Sequence, residues 1–253
     1  MGKIPVALQL YSLRDVIPYD VEGTLASVAK MGYQGVEFAG YYGKSAKELR
    51  TILNDNGLLV AGTHIGLETL LGEELEKTVE FNQELGNKFL IVPGLAEERR
   101  NSVKAWKDTA RIFNELAEKV KPFGMRVGYH NHWDEFKPMD GLLPFDVFFS
   151  DTVTEVVMQL DTGNALYGGA ESVPLLKKYP GRAATVHLKE CSRNEEVNFA
   201  SMYGEGSVPW KEVFELCETV GRTEWYIVEQ EKYLSPPLES VAEGLQALRK
   251  LGV

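Results

Sequence analysis

The chain has 253 residues, 44% of them hydrophobic, and a formal net charge of −10, which allows a large core in one big α/β domain or two small ones. An acidic chain lacks the basic surface that nucleic acid or an anionic membrane requires, so neither is expected as a partner. Its two cysteines, Cys191 and Cys217, are too few for a disulfide framework and fit no zinc motif; they read as free thiols in a reducing cytosol.

The N-terminal MGKIPVALQLYSLRD holds an apolar run too short for a signal peptide, and no later stretch approaches the ~20 apolar residues of a membrane span. A cytoplasmic protein is expected. The chain then alternates short apolar runs with amphipathic segments. Residues 4–10 (IPVALQL) read as a strand, and 21–30 follow with helical spacing up to Gly32. Residues 35–38 (GVEF) form a second strand. Ser45 opens SAKELRTILNDNG, a helix with a serine cap, a glutamate three residues on and Gly57 at its end. Strand three covers 58–61, a helix over 72–85 is closed by Gly86, and strand four (88–92, KFLIV) stops at Pro93-Gly94. The long helix 102–120 puts Val103, Trp106, Ala110, Phe113, Ala117 and Val120 on one side. Strand five (125–129), a weaker helix (142–150), strand six (156–160, VVMQL), a short helix (173–179) and strand seven (183–188, AATVHL) come next. Helix 210–220 begins after Val208-Pro209 and ends at Gly221. Strand eight is 225–228 (WYIV), and 238–251 is the last helix.

Eight strand–helix units in strict alternation predict a parallel sheet. Their number and the chain length predict a single (β/α)8 barrel over residues 1–253. A doubly wound open sheet is the alternative, but QLYSLRD stands where its GxGxxG fingerprint would be, and no Walker A loop occurs.

In such a barrel the active site lies at the C-terminal ends of the strands. Polar residues concentrate there: Gln9, Tyr11, Ser12 and Arg14 after strand one, Glu37 on strand two, Thr63 and His64 after strand three, and His130, Asn131 and His132 after strand five. Asp161, Thr162 and Asn164 follow strand six, His187, Lys189 and Glu190 strand seven, and Glu229, Gln230 and Glu231 strand eight. All four histidines of the chain fall in this set. The simplest common cause is a metal. His130, Asp161, His187 and Glu229 come from four neighbouring strand ends, and two imidazoles with two carboxylates suit Mn2+, Co2+ or Zn2+, with Mg2+ compatible. Each residue also has a plainer reading: Asp161 as the cap of a DTGN turn, His187 as a core histidine, Glu229 paired with Lys189, and His130 as a substrate contact.

QLYSLRD at the start, GVEFAG on strand two, YHNH on strand five, LDTGNALYGG on strand six, VHLKE on strand seven, GEGSVPW before the next helix and WYIVEQE on strand eight together resemble the xylose-isomerase-like TIM-barrel superfamily. The nearest branch is its sugar phosphate isomerase/epimerase group, with inosose dehydratase close by. The resemblance implies a divalent metal held from strands five to eight, in many members by Glu, Asp, His and Glu. The last three fall on Asp161, His187 and Glu229. The first falls on His130, a departure that makes His130 a ligand, makes it an acid/base, or leaves the place to His132 or Glu135.

A metal chelating a sugar carbonyl and its neighbouring hydroxyl stabilises the enediolate formed by proton removal. Isomerisation, epimerisation or loss of a β-hydroxyl then depends on where the proton returns. The resulting expectation is a metal-dependent sugar or sugar phosphate isomerase/epimerase, with an inosose-type keto-sugar dehydratase or a non-catalytic sugar-binding barrel as alternatives. Glu229 would serve as ligand and base, His130 or His132 as the opposing acid/base, and Lys189 would polarise a substrate oxygen. Glu37, His64 and Asn164 would bind hydroxyls, and Tyr11 and Trp133 would offer aromatic faces to a sugar or polyol. A DNA-repair nuclease of the endonuclease IV type shares the superfamily fold but needs more histidines and a basic groove. A homo-oligomer is compatible with all of this.

Overall fold

The structure is a computed structural model and describes residues 4–233 and 235–253. Eight strands close into one barrel in chain order: β1 (Val6–Gln9), β2 (Gly35–Ala39), β3 (Leu59–His64), β4 (Phe89–Val92), β5 (Arg126–His130), β6 (Val157–Asp161), β7 (Thr185–Leu188) and β8 (Trp225–Val228). Every neighbouring pair is parallel, including β8 with β1. Outside them run α1 (Val21–Met31), α2 (Ala46–Asp55), α3 (Glu74–Leu85), α4 (Val103–Val120), α5 (Pro144–Asp151), α6 (Thr162–Tyr167), α7 (Ser172–Lys178), α8 (Trp210–Leu216) and α9 (Pro237–Leu251). The (β/α)8 expectation holds. No helix among the described residues is long and apolar enough to cross a membrane, and both cysteines are free and buried.

Helix boundaries follow local chemistry. Asp20, Ser45 and Ser102 cap α1, α2 and α4 by accepting backbone N–H bonds, and Ser45 and Glu48 complete a reciprocal capping box. Gly32 ends α1 and Gly86 ends α3 at φ 97° and 81°, the left-handed geometry that a side chain resists.

Three strands run further than their apolar runs suggest. β3, β5 and β6 continue through His64, His130 and Asp161. The ladder persists because those polar side chains point into the barrel mouth and leave the backbone paired. Helix α6 is a second departure. DTGN reads as a turn, but the Asp161 side chain accepts from Asn164 N and starts a buried helical turn and a half. The last turn of the expected 210–220 helix instead widens into a π turn at Cys217–Gly221.

The barrel interior alternates by parity. Ala7, Ala61, Phe89, Ile91, Val157, Ala184, Trp225 and Ile227 form a separate buried apolar cluster inside the barrel. Their neighbours Leu8, Val36, Leu90, Val127, Leu160 and Val228 face outward into the helix layer. Two glycines make room inside. A Cβ on Gly62 would collide with the Glu37 carboxylate, and one on Gly128 would lie 2.7 Å from Ile91 Cδ1 and Val157 Cβ. Gly128→Ala is expected to destabilise the fold by about 1–3 kcal/mol through overpacking. Denaturant unfolding checks this, and an unchanged midpoint would mean that the wall gives freely.

Candidate metal centre at the barrel mouth

The C-terminal rim brings together residues far apart in sequence. One ligand atom each from His130, Asp161, His187 and Glu229 lies within 4.8 Å of the other three, and all four residues are buried. His187 Nδ1 is 3.0 Å from Glu229 Oε2 and 4.0 Å from Asp161 Oδ2, while His130 Nε2 is 3.8 Å from Asp161 Oδ2. The Lys189 ammonium lies 3.0 Å from Asp161 Oδ2, 2.9 Å from Glu229 Oε2 and 2.5 Å from Glu231 Oε1.

The electrostatics follow from burial and neighbours. Burial alone would raise Glu229, but Lys189 and His187 outweigh it and hold the carboxyl well below the usual range. Burial raises Asp161; Lys189 opposes this and the charge of Glu229 adds to it. Burial, with His187 and His64 alongside, pushes His130 well down, leaving a neutral ring with a lone pair to give. Burial opposes charge on His187 too, but the carboxylates of Glu37 and Glu229 prevail and raise it to about 10. Lys189 is likewise raised against its burial by Asp161, Glu229 and Glu231.

A divalent cation fits this set. Asp161 Oδ2 is buried and accepts no well-directed hydrogen bond, although an ammonium is 3.0 Å away. An orphaned carboxylate oxygen is costly in a dry site unless a cation meets it. The mixed N/O donor set suits Zn2+, Co2+ or Mn2+. His64, His130 and His187 form a second, overlapping trio.

Other expected residues take varied places. His132 sits beside His130, ring centroids 5.1 Å apart. Tyr11 is exposed, with the Arg14 guanidinium 4.7 Å from its ring centroid, and Trp133 meets the edge of Tyr167. Asn164 is buried; its Nδ2 donates to the Asn131 carbonyl, and its Oδ1 has no partner. Glu37 departs from expectation. It is fully buried below the rim and satisfied by Gln9, Gln159, His64 and His187, so no acceptor is left for a substrate hydroxyl. Glu135 does not stand in for His130 as a ligand. It accepts from Tyr129 Oη and from His132 N, and so holds the YHNH turn in place.

Several participants escaped the sequence reading. Gln159 lies two residues before Asp161 on the same strand face, a parity signal in VVMQLD that the apolar run concealed. Tyr167 and Phe199 continue the aromatic rim from Trp133, and Lys189 Nζ lies 5.8 Å from the Phe199 ring centroid. Glu190, one of the polar residues that follow strand seven, is buried and turned away from the cluster. It accepts from Cys191 N, Gly204 N, Val208 N and Trp210 Nε1, and a Cβ on Gly206 would strike its carboxylate. The glycines of GEGSVPW therefore wrap a carboxylate. A cavity of about 800 Å3 lined by Arg126, Glu155, Gly181, Arg222 and Glu224 opens where the strands begin and touches none of these groups. That end of such barrels serves stability.

A closed parallel barrel with its polar constellation on the C-terminal rim defines a (β/α)8 protein whose site is built from strand ends. The chain belongs to the Xylose isomerase-like TIM barrel family, whose profile matches residues 25–251. It is 25% identical to an inosose dehydratase of Clostridium botulinum (strain Alaska E43 / Type E3), over 90% of this chain and 89% of that one. Among solved structures, a sugar phosphate isomerase/epimerase from Parabacteroides distasonis superposes with a TM-score of 0.85 at 24% identity, covering 100% of this chain and 96% of that one. The IolI protein with a binding zinc atom superposes at 0.73 and 13% identity, covering 98% of each. At these identities the two superpositions establish the shared fold.

Glu190→Gln replaces a carboxylate oxygen by an amide that faces N–H donors. It is expected to cost about 2–4 kcal/mol and to alter the emission of Trp210, read by unfolding monitored through tryptophan fluorescence.

Proposed function

We propose that this protein is a divalent-metal-dependent sugar isomerase/epimerase that moves a proton at a carbon next to a carbonyl. The observation that carries the reading is the convergence of His130, Asp161, His187 and Glu229 around the orphaned Asp161 Oδ2. The zinc atom of the IolI protein, which shares the barrel, and the isomerase/epimerase name of the Parabacteroides protein support it. These four residues would hold the metal. When bound, it would polarise the sugar carbonyl and its neighbouring hydroxyl and lower the cost of the enediolate left by proton removal.

The chain's own groups do the rest. Glu229, kept ionised by Lys189 and His187, takes the proton from one side of the sugar. His132, or His130 where it is not ligating, faces it as the second acid/base and returns a proton. Lys189, whose ammonium lies beside Asp161, Glu229 and Glu231 at the mouth, would polarise a substrate oxygen. His64 offers Nδ1 and Asn164 its free Oδ1 to hydroxyls. Tyr11, Trp133, Tyr167 and Phe199 give apolar ring faces of the kind that stack on sugars. The substrate is a sugar or polyol derivative carrying a carbonyl.

Dehydration is the second reading, favoured by the inosose dehydratase name of the Clostridium relative. It shares the first proton abstraction and differs when a β-hydroxyl leaves. Solvent-deuterium exchange into a panel of keto-sugars and keto-inositols reports the common step, and product analysis separates the outcomes. Chelation is expected to abolish exchange; full activity in a metal-free sample would sink the mechanism. Glu229→Gln is expected to lower turnover by about 10²–10⁴-fold and to weaken metal binding, measured by kinetics and calorimetry.

A further inference from the structure

Beneath the four rim residues lies a second polar layer in the barrel interior: Gln9 on β1, Glu37 on β2, Gln159 on β6 and Thr185 on β7, each with 0% exposure. Branched apolar side chains are the usual filling there, and a buried carboxylate is costly. Donor and acceptor accounting shows what the layer does.

Glu37 ionised can only accept. The Gln159 group 2.8 Å from Glu37 Oε1 is therefore its NH2, which also donates to Thr185 Oγ1 at 2.9 Å. That choice turns Gln159 Oε1 toward the histidines. As an acceptor it requires N–H from both ring nitrogens beside it, His64 Nε2 at 2.6 Å and His130 Nδ1 at 3.1 Å. With Nδ1 turned to Gln159, Nε2, the nitrogen that faces Asp161, is the one His130 can give to a cation. Glu37 acts on His187 in the same way. Its Oε2 is 2.6 Å from His187 Nε2 and accepts the proton there, while Nδ1, 3.0 Å from Glu229 Oε2 and 4.0 Å from Asp161 Oδ2, shares with Glu229 the proton that a cation would replace. His64 commits Nε2 downward to Gln159 and Glu37.

We infer that Glu37 and Gln159 are positioning residues that preset which ring nitrogen each histidine turns to the site, Nε2 in His130 and Nδ1 in His187, so that both nitrogens, with Asp161 and Glu229, would surround one cation. The inference rests on the metal reading above and adds its internal support. One pair of buried groups orients two ligands from different strands, because the carboxylate can only accept and the amide must point one end each way. Partners of this kind are worth about 10–100-fold in metal affinity.

The test uses the full chain, stripped of metal and titrated with Co2+, whose visible absorption reports the ligand field. The wild type is expected to take up one Co2+. Glu37→Gln and Gln159→Leu are expected to bind about 10–100-fold more weakly with altered cobalt spectra, while Ile91→Val, in the same interior, lowers stability but keeps the wild-type affinity. Long-range 15N–1H spectra of the Zn2+-loaded wild type, independent of any variant's folding, are expected to show a proton on His130 Nδ1 and on His187 Nε2. The opposite protonation of either ring, or unchanged affinity and spectra in both variants, overturns the positioning role alone. A wild type that takes up no Co2+ overturns the metal reading and the positioning role with it.

Discussion

Everything at the barrel mouth answers to one constraint: carboxylates of Asp161 and Glu229 held out of water beside each other. Negative charge in such a place must be met by a cation or a proton. Lys189 meets part of the demand and His187 another part, yet Asp161 Oδ2 stays without a directed partner. The rest of the interior is arranged around that deficit. Glycines at 62 and 128 admit the polar layer and the tight wall behind it. Glu37 and Gln159 link the histidines to the strands opposite.

The loops above the rim depend on two further buried carboxylates. Glu135 ties the turn after β5 to Tyr129, and Glu190 gathers the segment after β7 through four N–H donors. Both use acceptors that lie deep in the protein to fix backbone that would otherwise be free. Loops that carry binding groups are useful only when so held. His132 and Phe199 sit on the two segments concerned.

Plain and functional readings of a residue need not compete. Asp161 is the cap of a short helix, as DTGN suggests, and uses Oδ1 for that purpose. Its Oδ2 stays free to face the cluster. Glu229 does pair with Lys189, and the same oxygen also faces His187. A side chain with two acceptor atoms can anchor local structure and still serve a site.

The order of strands and helices was legible because burial on a strand and burial on a helix stripe have different periods. The four candidate ligands were legible because a polar residue ending an apolar run is costly without a purpose, and all four histidines stood at such ends. What the chain order could not reveal was which polar groups face one another across the barrel. Glu37 and His187 are 150 positions apart and touch at 2.6 Å, a contact created by closing β1 on β8 and not by any spacing along the chain. The same closure decided that Glu37 supports the histidines from below and that Gln159 joins them, whereas Glu190 turns inward to meet the segment that folds back over it after β7. Local sequence determined the elements and the candidate chemistry. Closure alone decided which donor meets which acceptor, since hydrogen bonds need distances and directions that only the assembled barrel supplies.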